Sequence, residues 1–185
     1  GEPAGEKPPE GAALSYSVGA ETSGPVTLEI KDASGKAVRR YASTDPVPKV
    51  DEKLKIPRYW VKPAAVLPAT PGLHRFFWDL HGTPLPGIEP EYPMTAVEHE
   101  TAPRPTGPWV VPGNYSVVLT AGAQSFTQPL QVKMDPRVQV PAAGLVQQFT
   151  LSQTLYDLRA RLQPIGQSFD ALVAAIAKRK AAAKG

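Results

Sequence analysis

Pro25-Val-Thr-Leu-Glu-Ile-Lys-Asp-Ala-Ser-Gly-Lys-Ala-Val-Arg-Arg40, then Gly72-Leu-His-Arg-Phe-Phe-Trp-Asp-Leu80, then Pro112-Gly-Asn-Tyr-Ser-Val-Val-Leu119 is the ordered run that decides the fold. Val26, Leu28 and Ile30 alternate with Thr27, Glu29 and Lys31, the period of a half-buried strand. Asp32-Ala-Ser-Gly35 supplies turn chemistry, with Gly35 free to take the positive φ of a tight hairpin, and Lys36 to Tyr41 returns as the partner strand. In the second piece, His74, Phe76, Trp78 and Leu80 make the better core face, with Trp78 at its centre. In the third, Tyr115, Val117 and Leu119 share one face. A hairpin around Ala121-Gly-Ala123 then leads into a strand over Ser125 to Met134, with Phe126, Leu130 and Val132 inward. Pro129 cannot donate to a ladder, which places that strand at an edge or a bulge. Ala12 to Val18 alternates as a first strand, its core-facing side left open. The whole reads as an immunoglobulin-like β-sandwich of six or seven strands.

Two long connections interrupt it. Ser43 to Pro71 carries six prolines and no sustained period, with a short helical turn expected around Asp51 to Lys55, and His81 to Val111 is again rich in Pro and Gly. After Asp135-Pro136 the period becomes helical. Pro141 suits a first turn, and Leu151, Leu155, Leu158 and Leu162 fall on one face. Gln163-Pro164 is expected to end that helix, and Gly166 to Ala183 to form a second with Phe169, Leu172, Val173 and Ile176 as its stripe. The expectation is therefore an antiparallel α-helical hairpin. The divisions are a linker at 1–11, the sandwich at 12–138 and the hairpin at 139–185. The Pro/Gly/Glu-rich start and the Ala-Ala-Ala-Lys-Gly end read as the edges of a longer protein.

Composition narrows the classes. A chain of 185 residues is long enough for one domain with an appendage and a real core. Twenty-two prolines are about twice the usual share, and they cluster outside the alternating segments as rigid loops. A net charge of +3 does not call for nucleic acid; the basic Lys178-Arg-Lys180 reads as a charged helix end. Cysteine is absent, which excludes disulfides, thiolate metal sites and a cysteine nucleophile. No apolar run reaches the roughly 18 residues that span a bilayer, so membrane insertion is not expected.

Several motifs in order resemble a known family: Pro8-Pro-Glu-Gly-Ala12, Gly24-Pro-Val-Thr-Leu-Glu-Ile30, Tyr59-Trp60 and Gly72-Leu-His-Arg-Phe-Phe-Trp-Asp-Leu80. They continue through Gly107-Pro-Trp109, Pro112-Gly-Asn-Tyr115 and Thr127-Gln-Pro-Leu-Gln-Val-Lys-Met-Asp-Pro-Arg137. Together they resemble the C-terminal region of large secreted bacterial β-propeller proteins with sortilin-like or Asp-box repeats, often labelled glycosyl hydrolases. The strand core is also similar to the immunoglobulin-like domain of the flagellar hook-capping protein. The resemblance implies a periplasmic or secreted location, and a partner in the parent's propeller or another protein subunit. Hydrolase activity would belong to that propeller, since this chain has no Asp-box, and no catalytic residue carries over.

The residues themselves offer little chemistry. Glu89, Glu91, Glu98 and Glu100 crowd the second loop, but nothing in their spacing holds the rigid carboxyl pair a glycosidase needs. Glu98-His99-Glu100 is the one cluster of ligand-type side chains, and neighbours in an extended loop point apart, so no metal is expected. No Gly-x-Ser-x-Gly elbow and no phosphate-cradling Gly-rich loop occurs, so neither a serine nucleophile nor a cofactor is read. Aromatics carry the live functional reading. Tyr59, Trp60, Tyr92 and Trp109 lie in or beside the Pro-rich loops, where exposed rings would stack on sugars of a polysaccharide. The alternative role is anchoring those loops to the sandwich by burial. The expectation is a non-catalytic accessory module for domain packing or assembly, with carbohydrate binding as the second reading.

Overall fold

A computed structural model describes residues 10–47, 54–88, 90–94 and 98–182. The expected linker therefore lies almost wholly outside the described residues, as do most of the expected turn at Asp51 to Lys55 and the side chain of Glu89. The chain divides into two compact units, Gly1–Pro84 with Glu89–Gln139, and Leu85–Ile88 with Val140–Gly185.

The first unit is built of antiparallel strands. β1 (Ala12–Val18) pairs with β4 (Gly72–Trp78), and a four-stranded sheet runs in the order β3 (Ala37–Ala42), β2 (Val26–Lys31), β5 (Gly113–Ala121), β6 (Gln124–Val132). β2 is central because its alternation is the most complete: Val26, Leu28 and Ile30 are buried while the residues between them are half-buried. The turn into β3 is held by Asp32, whose carboxylate accepts from the N–H groups of Ser34 and Lys36 and from the Ser34 hydroxyl, with Gly35 at φ 83°. The β5–β6 hairpin turns at Gly122, φ 59°. β6 lies at the sheet edge, which accommodates Pro129 opposite Ser116 without breaking an interior ladder.

One buried cluster draws on both sheets: Tyr16 and Val18 of β1, Phe76 and Trp78 of β4, the β2 triad, Tyr115 of β5 and Leu67 from the first long loop. This resolves the side of β1, since Leu14, Tyr16 and Val18 face inward. Trp78 is fully enclosed, donates its indole N–H to the His81 carbonyl at 2.9 Å and meets the Tyr115 ring edge-on. Enclosing each such side chain contributes on the order of 1.5–3 kcal/mol. Two expectations shift. β4 stops at Trp78, because Leu80 takes a left-handed φ of 60° and the Asp79 carboxylate caps the turn by accepting from the His81 N–H. Phe126 is more than half exposed at the hairpin tip, while Leu130 and Val132 pack against the core.

The second unit corrects the helical hairpin. One helix, α1 (Ala142–Ala182), runs unbroken through Pro164. A proline there removes the N–H that would bond to the Ala160 carbonyl and crowds the preceding turn, but it does not forbid helix on both sides. The Ser168 hydroxyl donates to the Pro164 carbonyl at 2.8 Å, and the Gln163 side-chain amide donates to the Pro86 carbonyl, so polar groups around the proline remain engaged. None of the described helices is long and apolar enough to cross a membrane.

Candidate functional site

Backbone pairing joins the two Pro-rich loops into a built surface. After a 3-10 turn at Arg58–Trp60, Val61 bridges Thr101 in parallel. The His99 N–H donates to the Tyr59 carbonyl, the Thr101 N–H to Trp60 and the Lys62 N–H to Thr101, all within 2.8–2.9 Å. Val61, Thr101 and Ile56 are buried beneath. On this platform Tyr59 is exposed and Trp60 half-buried, their rings edge-on with centroids 6.0 Å apart.

Trp109 sits elsewhere on the loops. His81 and Trp109 form an antiparallel bridge, flanked by bonds from the Gly82 N–H to Pro108 and from the Val110 N–H to Leu80. The Trp109 ring lies 3.9 Å from the centroid of the buried His81 imidazole, yet 60 % of the residue stays exposed. The backbones pass so closely that a Cβ on Gly107 would run into the Gly82 carbonyl. The loop is also tied to β3, where Thr83 bonds the Val38 carbonyl through its N–H and its hydroxyl, and Arg39 donates to the Gly82 carbonyl. Tyr92 is half-buried, next to Glu91, whose carbonyl accepts the Arg104 N–H. The four candidate aromatics thus fall into a Tyr59–Trp60 pair, a Trp109–His81 pair and a separate Tyr92. No ring contact among the described residues joins the two pairs.

Glu91, Glu98 and Glu100 are exposed, and His99, held at φ 54°, stands 3.8 Å from the Glu98 carboxylate, a link that is ionic only when the imidazole is protonated. Among the described residues no three His, Asp or Glu side chains gather as a cation site. His81 is the residue whose role sequence spacing left unstated. The Asp79-x-His81 spacing is its only signal, and it marks a side-chain-capped turn.

Burial pushes several phenols up. Tyr16 and Tyr41 are each raised from 10.0 to about 12, and Tyr115 is raised as well, with the Asp32 carboxylate adding to burial. At Tyr41 burial acts first; the adjacent Arg39 guanidinium, 4.8 Å from the ring centroid, opposes it, and Asp79 adds to it. Tyr16 and Tyr115 spend their hydroxyl protons on the Pro68 and Val111 carbonyls, both at 2.7 Å. These are structural tyrosines holding loop backbone.

The largest unexplained surface is on α1. Leu151, Leu155, Leu158, Leu162, Ile165, Phe169, Leu172 and Ile176 are between 46 % and 64 % exposed. On the far side of the same helix Gln153, Tyr156, Ala160 and Gln163 are half-buried. The helix thus turns its apolar face to water and its more polar one toward partial cover. In comparison with known proteins, no family model, no curated protein and no solved structure matches this chain.

Proposed function

We propose that the chain is a non-catalytic accessory module of a larger extracytoplasmic β-propeller protein, contributing domain packing or protein–protein assembly. On this reading the two-sheet unit is an immunoglobulin-like sandwich and the Pro-rich loops are its stapled excursions. The observation that carries the proposal is the exposed apolar face of α1, which asks for a protein partner. The loop aromatics support it from the other side. Trp109 packs one side against buried His81, and Trp60 is half-buried on the Val61–Thr101 bridge, contacts that tie irregular backbone down.

A second reading, a carbohydrate-binding module, draws on the exposed faces of Tyr59 and Trp109. The two separate by affinity electrophoresis of the purified chain through a polysaccharide panel, with an unrelated sandwich as control. The assembly module predicts unretarded migration in every gel, and Trp60→Ala and Trp109→Ala variants that are less stable. Retardation by one glycan class, abolished by those substitutions in a folded chain, would overturn it in favour of carbohydrate binding.

A further inference from the structure

We propose that two copies of this chain pair through a single heptad seam on α1, an inference that rests on the assembly reading and names its partner. Because the helix continues through Pro164, the two stripes that a break would have separated stay in phase, joined by Ile165. From Leu151 the apolar side chains step alternately four and three residues, through Leu155, Leu158, Leu162, Ile165, Phe169 and Leu172, to Ile176. That is the a/d spacing of a two-stranded coiled coil held without a polar interruption for more than three heptads. The seam runs roughly 38 Å along the axis at 1.5 Å per residue. Pro164 falls at an outward c position, so its ring does not enter the seam.

What covers this seam follows from area, charge and the helix's own neighbours. Eight half-exposed side chains offer roughly 100 Å² each, so face-to-face pairing buries on the order of 1,600 Å² in total, the size of a stable interface. In a parallel in-register pair the flanking cations meet no like charge. Arg159 faces the second copy's Thr154, Arg161 its Gly166, and Lys180 its Ala175. Within the second unit, the segment Leu85–Ile88 reaches α1 through the Gln163 amide, on the polar side opposite the leucines, and leaves the seam uncovered. A lone helix gains nothing from a stripe of this length in water, and a matching copy removes it from solvent.

Sedimentation equilibrium of the full 185-residue chain tests the pairing. At roughly 100 µM the expected mass is twice the 19.8 kDa chain mass, falling toward monomer on dilution. Leu158→Glu places a charge in the seam and weakens association by on the order of 100-fold. Ala174→Glu, on the exposed outer face, leaves the dimer as it is. Near-ultraviolet dichroism of the Trp78 core confirms that each variant remains folded. A chain that is monomeric at every concentration overturns the proposal, as does a dimer that Leu158→Glu leaves unchanged. A monomer that floats with anionic phospholipid vesicles overturns it too, assigning the seam to a membrane surface. Each of these failures is distinct from failure of the assembly reading, which is decided by glycan retardation.

Discussion

The Trp78 indole has no surface left to solvent and ties the core to the loop that follows it through the His81 carbonyl. Trp78→Ala opens a cavity that the two sheets cannot close and frees that carbonyl, so it should cost about 3–5 kcal/mol in urea unfolding. Trp78→Phe keeps part of the packing and should cost less. The buried tyrosines give a second prediction at this scale. Between the ordinary phenol value of 10.0 and about 12, the unfolded chain releases protons that folded Tyr16 and Tyr41 still hold. The unfolded state then binds fewer protons, so stability falls as pH rises through that window and is unaffected by these groups below it. Tyr16→Phe and Tyr41→Phe should each flatten the alkaline loss of stability and remove late-titrating phenolate absorbance near 295 nm. An alkaline limb unchanged in both variants would contradict the assignment.

At the scale of elements, Gly107 is the contact on which the second loop closes. Its backbone meets the Gly82 carbonyl so directly that any Cβ forces the strands of the His81–Trp109 bridge apart. Gly107→Ala should lower stability by about 1–3 kcal/mol and change Trp109 fluorescence as the ring parts from His81. In α1 the opposite result is expected. Pro164→Ala restores a backbone donor to the Ala160 carbonyl, so helical ellipticity at 222 nm should rise and its melting shift upward, a helix-interior proline costing ~3 kcal/mol. The strands were legible because alternation is a local signal: the apolar sets Leu14–Tyr16–Val18, Val26–Leu28–Ile30 and Tyr115–Val117–Leu119 fall within β1, β2 and β5. The helix was not, because proline chemistry argues for a stop at Gln163 and only the continuity of good helix formers on both sides overrides it. The ties between the Pro-rich loops were equally hidden, since they are backbone bonds between residues such as Tyr59 and His99, which no side-chain pattern announces. For the same reason sequence could nominate Tyr59, Trp60, Tyr92 and Trp109 together without revealing that they sit in separate ring contacts.

At the scale of the molecule, one unit is a two-sheet body with its apolar residues inside, and the other is a helix with its apolar residues outside. That contrast is the basis for reading the chain as a part that assembles. The body's loops are stapled by His81, Thr83 and Thr101, and on the proposed pairing the heptad seam of the helix would specify its partner by register. Amide hydrogen exchange along residues 142–182 tests this claim most directly. The account predicts that amides of 151–176 exchange on the order of 100-fold more slowly than those at the helix ends when the chain is concentrated, and that dilution or Leu158→Glu removes the difference. Exchange at one rapid rate along the whole helix, indifferent to concentration and to the seam variant, would contradict it.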